Sequence, residues 1–214
     1  MEFLKQLKNI DIYLLDQIQK GRISKTTKVL DAGCGTGRNS YFLLDQGFDV
    51  WGCDPLSNSI SEIHELYPDD VGRYTVSSIE EYQSERKFDF IICNAVLHFA
   101  KSHDHFQRMM SSMSALLSET GVLFIRMTSD FAIHPSYGGE ESGRVKLPDG
   151  TTRYLLNRSQ LTKAISDNQL KFVEPLKTVN VDDQRCMSTL VLTRDQDVKL
   201  DLGWVDKSQN PMME

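Results

Sequence analysis

Lys28-Val29-Leu30-Asp31-Ala32-Gly33-Cys34-Gly35-Thr36-Gly37-Arg38-Asn39-Ser40 is the stretch on which the reading of this chain turns. Val29 and Leu30 form a short apolar run that stops at Asp31, and Gly33, Gly35 and Gly37 follow at alternate positions. From Asn39 to Gln46 an apolar stripe (Tyr41, Phe42, Leu43, Leu44) reads as helix, and Gly47 ends it. A second apolar run, Val50 to Cys53, stops at Asp54. This order predicts a strand, a glycine turn, a helix and a parallel strand whose carboxyl end carries an acid.

Glycines let the backbone turn sharply and let a ligand come close to it. An acid about twenty residues further on, at the end of the next strand, accepts hydrogen bonds from ribose hydroxyls. The unit is therefore a candidate nucleoside site in an open α/β sheet. The dinucleotide fingerprint Gly-x-Gly-x-x-Gly seats a pyrophosphate on the amino end of a helix. Counted from Gly33 and Gly35, its last glycine falls where this chain has Arg38. Asp31, just before the turn, would repel a pyrophosphate and favour an ammonium group.

Asp31 to Gly37, together with Asp54, resembles the first two motifs of class I S-adenosylmethionine-dependent methyltransferases. Asp11 to Gln17, Gly21-Arg22 and Asp31 to Asn39 together resemble a bacterial branch of small enzymes in that class. The resemblance covers Asp11 to Met127 and is weaker in the carboxyl third. It implies an α/β fold: a seven-stranded, mainly parallel sheet with helices on both faces and an antiparallel strand pair at one edge. It also implies S-adenosylmethionine as cofactor and methyl transfer as the reaction. Two other readings stand beside it. One is a nicotinamide-dependent oxidoreductase, which Arg38 in the glycine's place disfavours; the other is a module that binds S-adenosylmethionine without catalysis.

At 214 residues the chain reads as one domain over residues 1–194. Within it we expect an amino-terminal helix over residues 1–21 with a stripe of Leu4, Leu7, Ile10 and Leu14, and an insertion or lid over residues 128–157. Residues 195–214 form a polar tail with Trp204 as its large anchor. The formal net charge of −6 and the lack of a Lys/Arg-rich run argue against nucleic acid and for a small-molecule acceptor. No apolar stretch reaches membrane-spanning length, and no signal-peptide pattern opens the chain. Cys34, Cys53, Cys93 and Cys186 form no C-x-x-C pair and read as buried free thiols of a cytoplasmic protein, monomer or homodimer. Tellurite- and thiopurine-type methyltransferases are the nearby analogies, although fold analogy does not determine a substrate.

For the cofactor the resemblance implies Asp31, Gly33, Gly35, Gly37 and Asp54, with Arg22 ahead of the first strand gripping the methionine carboxylate. Pro55 and Leu56 follow Asp54, and Leu56 is placed to lie against an adenine face. Relatives carry an acid after the third strand for the adenine amino group; this chain offers Ser78, followed by Ile79, at that point. Asn94 ends the strand Phe88 to Asn94 and Ala95 opens the loop past it, which resembles the fourth methyltransferase motif that brings a backbone carbonyl near the cofactor's amino group. Asn94 is followed by Ala95-Val96, so the Pro-Pro signature of amide and adenine-amino methyltransferases is absent, and there is no Pro-Cys pair for cytosine C5 chemistry.

The candidates on the acceptor side are His98, Tyr137, Tyr154 and Arg185, with Arg126 as a further orienting group. His98 has two readings: a base or anchor facing the substrate, or a residue bonded to the loop backbone. No metal site is expected, since His103, Asp104 and His105 lack a further ligand nearby in sequence. Alternation around Pro148-Asp149-Gly150 predicts a β-hairpin, and a long glycine-rich excursion from a sheet edge suits a binding loop. Methyl transfer needs a general base only where the acceptor must lose a proton.

Overall fold

The computed structural model describes residue 7, residues 9–131 and residues 141–201. Its frame is a sheet built from β1 (Lys28–Ala32), β2 (Asp49–Asp54), β3 (Tyr74–Val76), β4 (Phe88–Asn94), β5 (Leu117–Ser129), β8 (Lys171–Phe172), β9 (Lys177–Val181) and β10 (Arg185–Thr193). The order is β3-β2-β1-β4-β5-β10-β8, with β9 also on β10. β1 to β5 are mutually parallel, β10 runs antiparallel to β5, and β8 and β9 run antiparallel to β10.

The strands are apolar on both sides because helices cover both faces. Along β4, Phe90 and Ile92 face one core while Ile91 and Cys93 face the other, and β5 divides Phe124 from Leu123 and Ile125 in the same way. The first core is closed by α1 (Ile12–Gln19), α2 (Ser40–Asp45) and α3 (Ser57–Leu66) through Leu14, Phe42, Leu43, Ile60 and Ile63. The second is closed by α4 (His103–Leu116) and α5 (Arg158–Asp167), mainly through Phe106, Met109, Met110, Met113 and Leu161. β1 and β4 are neighbours although the chain runs outward from β1 to β3 and returns to β4. The strand order reverses between them, and in open α/β sheets the crevice at such a reversal, at the carboxyl ends, is where ligands bind.

Several expectations are adjusted. Among the described residues the sheet has eight strands, because the edge strand expected from Lys171 onward breaks at Val173-Glu174-Pro175-Leu176 into β8 and β9. Proline has no N–H to donate to a ladder. Residues 9–11 are not helical, and a helix begins at Ile12, with the Asp11 side chain accepting from the Tyr13 N–H at 2.9 Å; Leu4 and the rest of residues 1–6 lie outside the described residues. Neither Ser57 nor Ser59 caps α3; Leu56 holds that position without a side-chain bond. The tail is tied down at least as far as Asp201, whose N–H reaches Val173 O and whose carboxylate pairs with Arg22. Trp204 lies outside the described residues. All four cysteines are free and buried.

Candidate functional site

The glycine turn is laced to the end of β2. Gly33 and Cys34 donate their N–H groups to Cys53 O, at 2.8 and 3.0 Å. Gly35 donates to Asp54 Oδ2 and Leu56 to Asp54 Oδ1, both at 2.9 Å. Asp54 is 8% exposed, and its carboxylate is thus oriented by two backbone donors before any ligand arrives. Gly33 and Gly35 have φ of +77° and +54°, the region that favours glycine. A Cβ on Gly33 would sit 2.3 Å from Val96 Cγ2, so the turn and the loop after β4 pack without space to spare. A Cβ on Gly35 would meet nothing within 4 Å. That open space lies in the wall of the cavity beside Asp54.

This first cavity measures about 710 Å³, and its walls include Gly33, Gly35, Asp54, Pro55, Leu56, Ser78, Ile79 and Ala95. It is largely apolar, and Leu56 and Phe99 stand exposed at its rim. Glu80 lines it as well and forms an ion pair with His105 Nε2. That pairing, working against burial, holds the Glu80 carboxyl below its usual range. The shape, the oriented acid and the free approach at Gly35 suit a nucleoside with an apolar slot for its base.

A second cavity, of about 290 Å³, shares Ala95 with the first. Ala95 adopts φ +64°, a conformation that side chains with a Cβ seldom take, and its N–H is held by Arg126 O at 2.8 Å. The second cavity is walled by Asn94 at the end of β4, His98 from the loop after it, Arg126 and Thr128 from β5, and Arg185 from β10. Arg38, Val181 of β9 and Met187 of β10 contribute as well, and so does the hairpin of β6 (Arg144–Lys146) and β7 (Thr152–Tyr154), which forms around Pro148-Asp149-Gly150 as expected. The hairpin lies over the loop after β4, with the Arg153 guanidinium 4.8 Å from the Phe99 ring centre.

Three buried atoms in this wall have no hydrogen-bond partner among the described residues: Asn94 Nδ2, His98 Nδ1 and Arg126 Nε. Burial, then the charges of Arg153 and Arg185, press the His98 pKa down to about 4, so the imidazole is neutral at physiological pH. His98 Nδ1 thus bonds no loop backbone group among the described residues, and the ring lines the cavity.

Other residues fall elsewhere. Arg22 lines neither cavity. It pairs with Glu174 at 3.2 Å and Asp201 at 2.8 Å and bonds Gln17 at 2.6 Å, because α1 ends beside the carboxylate that follows β8. Asp31 is buried beneath the turn, where it accepts from Ser40 Oγ at 2.8 Å. Burial raises its pKa to about 6, with Ser40 and Arg38 opposing and Asp54 adding to the rise. Gly37 packs on the Tyr41 ring, away from the cavities. Asn94 faces the second cavity and not the first. Tyr154 is fully buried, stacked on Phe106 with its hydroxyl 3.0 Å from His103 Nδ1, and its burial pushes the phenol pKa up. It is a core residue. Tyr137 lies outside the described residues. Glu80, Arg38 and Arg153 were missed, since each is a lone polar residue whose sequence neighbours do not signal a site. Glu80, two residues beyond Ser78, stands near the place where relatives keep an acid.

An oriented acid beside a glycine turn, in a sheet of this order, defines a nucleoside-binding α/β protein of methyltransferase type. Residues 8–174 match a family model described as "Methyltransferase domain", and the chain belongs to that family of S-adenosylmethionine-dependent methyltransferases. Among curated proteins it is similar to the ubiquinone biosynthesis O-methyltransferase of Rickettsia felis, 34% identical over 99 residues, which cover 44% of this chain and 40% of that protein. It is also similar to the probable S-adenosyl-L-methionine-dependent methyltransferase TehB of Haemophilus influenzae, 33% identical over 86 residues, or 39% and 30% of the two chains. The matches span less than half the length of these relatives. Among solved structures, an S-adenosylmethionine-dependent methyltransferase from Clostridium acetobutylicum shares the fold with a TM-score of 0.67 at 16% identity, covering 86% of this chain and 89% of that one. The 1,6-didemethyltoxoflavin-N1-methyltransferase of Burkholderia thailandensis gives 0.64 at 18%, covering 85% and 76%.

Proposed function

We propose that the protein transfers a methyl group from S-adenosylmethionine to a small-molecule acceptor, with the cofactor in the larger cavity and the acceptor in the smaller. The observation that carries this reading is that both cavities share Ala95, with the oriented carboxylate of Asp54 on the cofactor side. The cofactor supplies an electrophilic methyl on a sulfonium, so the chain's task is to bind and align. Asp54 holds the ribose hydroxyls, Leu56 and Ile79 flank the base, and Gly35 lets the cofactor lie close to the backbone. Asp31 acts on the cofactor only through the turn above it.

On the acceptor side, neutral His98 is the group that accepts a proton where the acceptor has one to lose, and Asn94 and Arg126 orient the acceptor. The hairpin of β6 and β7 covers this cavity and limits water. The names of the Rickettsia and Burkholderia relatives concern ubiquinone biosynthesis and didemethyltoxoflavin, which supports a small molecule here too. Four buried free thiols accord with a cytoplasmic location.

Calorimetric titration with S-adenosylhomocysteine and with NAD, followed by methyl-release assays over a metabolite panel, tests this reading. Binding of the first and not the second is expected. Tight NAD binding, or no binding of S-adenosylhomocysteine, would overturn it.

A further inference from the structure

The second cavity carries a charge pattern at odds with the rest of the chain. The protein has a net charge of −6, yet Arg38, Arg126, Arg153 and Arg185 line this cavity against the single carboxylate of Asp149. Arg185 shares Asp149 at 3.2 Å, and Arg126 is met by Asp11 at 2.6 Å with its guanidinium over the Tyr13 ring. Arg38 and Arg153 make no ion pair among the described residues. Positive charge gathered in a concave wall of low polarisability draws anions and repels cations.

The unpaired atoms give the pattern a chemical direction. Asn94 is 8% exposed, and both Asn94 Nδ2 and Arg126 Nε are donors without an acceptor among the described residues. Leaving a buried donor unpaired is costly, and an entering oxyanion supplies the missing acceptors. The low pKa of His98, caused in part by Arg153 and Arg185, is a separate sign that these charges reach into the cavity.

We propose that the methyl acceptor is a small organic acid, whose carboxylate is held by the arginines and the Asn94 amide of the second cavity. This rests on reading that cavity as the acceptor site. Guanidinium groups suit the purpose because their paired N–H donors match the two oxygens of a carboxylate. At about 290 Å³ the cavity is at the small end of ligand sites. Amines that would enter as cations are disfavoured acceptors for the same electrostatic reason.

Salicylate and salicylamide test the assignment, having nearly the same shape and differing in charge. S-adenosylhomocysteine is titrated first, and its failure to bind would strike at the cofactor site, separately from the present inference. With S-adenosylhomocysteine at saturation, salicylate should bind at least roughly tenfold more tightly than salicylamide, the strength of a charge-assisted contact. An Arg153→Gln/Arg185→Gln protein should lose that preference and keep its S-adenosylhomocysteine affinity. Arg86→Gln should keep the preference, because Arg86 pairs with Asp49 at the amino end of β2, the opposite edge of the sheet. If the double variant does not fold, Arg38→Gln, an exposed position, replaces it with the same expectation. Salicylate that fails to bind, binds no more tightly than salicylamide, or keeps its preference in the folded variant overturns the proposal.

Discussion

Replacing Asp54 is the sharpest test of the nucleoside site proposed at the end of β2. Each carboxylate oxygen already accepts one backbone N–H, from Gly35 and from Leu56, both at 2.9 Å. Each has room for one more donor, and the two ribose hydroxyls would fill those places. A hydrogen bond to a charged group contributes about 1.5–3 kcal/mol. Losing two while water partly compensates comes to about 3 kcal/mol, or roughly a hundredfold in affinity. Asp54→Ala should therefore bind S-adenosylhomocysteine roughly a hundredfold more weakly by calorimetry. Asp54→Asn should be nearly as poor, because its NH₂ group would face one of the two backbone donors. An analogue without ribose hydroxyls should bind wild type and Asp54→Ala alike, which separates the hydroxyl contact from damage to the turn. Folding stability should fall by only about 1 kcal/mol, since the freed N–H of Leu56 is at an exposed position and that of Gly35 borders the cavity. Wild-type affinity in Asp54→Ala, or equal losses for the analogue, would refute the assignment.

Gly33→Ala should be poorly folded in thermal melts, because its Cβ meets Val96 at 2.3 Å. Gly35→Ala, with open space around its Cβ, should fold with a penalty of about 1 kcal/mol and yet lose S-adenosylhomocysteine binding. Arg22→Ala should lower stability by about 1–2 kcal/mol in urea unfolding, since Lys20 and Lys177 remain to pair Glu174; cofactor affinity should stay at the wild-type value. For His98 the folded pKa of about 4 lies below the ordinary 6.5, so between these values the unfolded chain binds more protons and stability rises with pH. Relative to His98→Gln, wild type should lose up to about 3 kcal/mol on acidification through that window, read by urea unfolding at each pH. The comparison with the variant is needed because Asp31, raised to about 6, acts in the opposite sense: its contribution is full below 3.8 and is lost as pH rises through about 6.

What the sequence determined by itself is the local machinery of the amino-terminal two thirds. The apolar runs of β1, β2 and β4 are legible because strands buried on both faces leave unbroken hydrophobic signals. The glycine turn and Asp54 are legible because close backbone approach and a positive φ restrict residue choice strongly at a few adjacent positions. The ladder break at Pro175 was also written in the chain, though its two flanking runs read as one strand. Tertiary structure decided what a long side chain meets. Arg22 precedes β1 as a cofactor arginine would, yet Glu174 and Asp201, more than 150 residues away, claim it. Tyr154 sits on a hairpin that looks like a lid, and its ring is buried against Phe106. The arginine wall joins Arg38, Arg126, Arg153 and Arg185 from four separate parts of the chain. No local pattern encodes such a meeting, because periodicity reports which face a residue occupies and not which distant residue shares it. Charge in the second cavity is therefore a product of the fold, assembled where β4, β5, β10 and the hairpin come together.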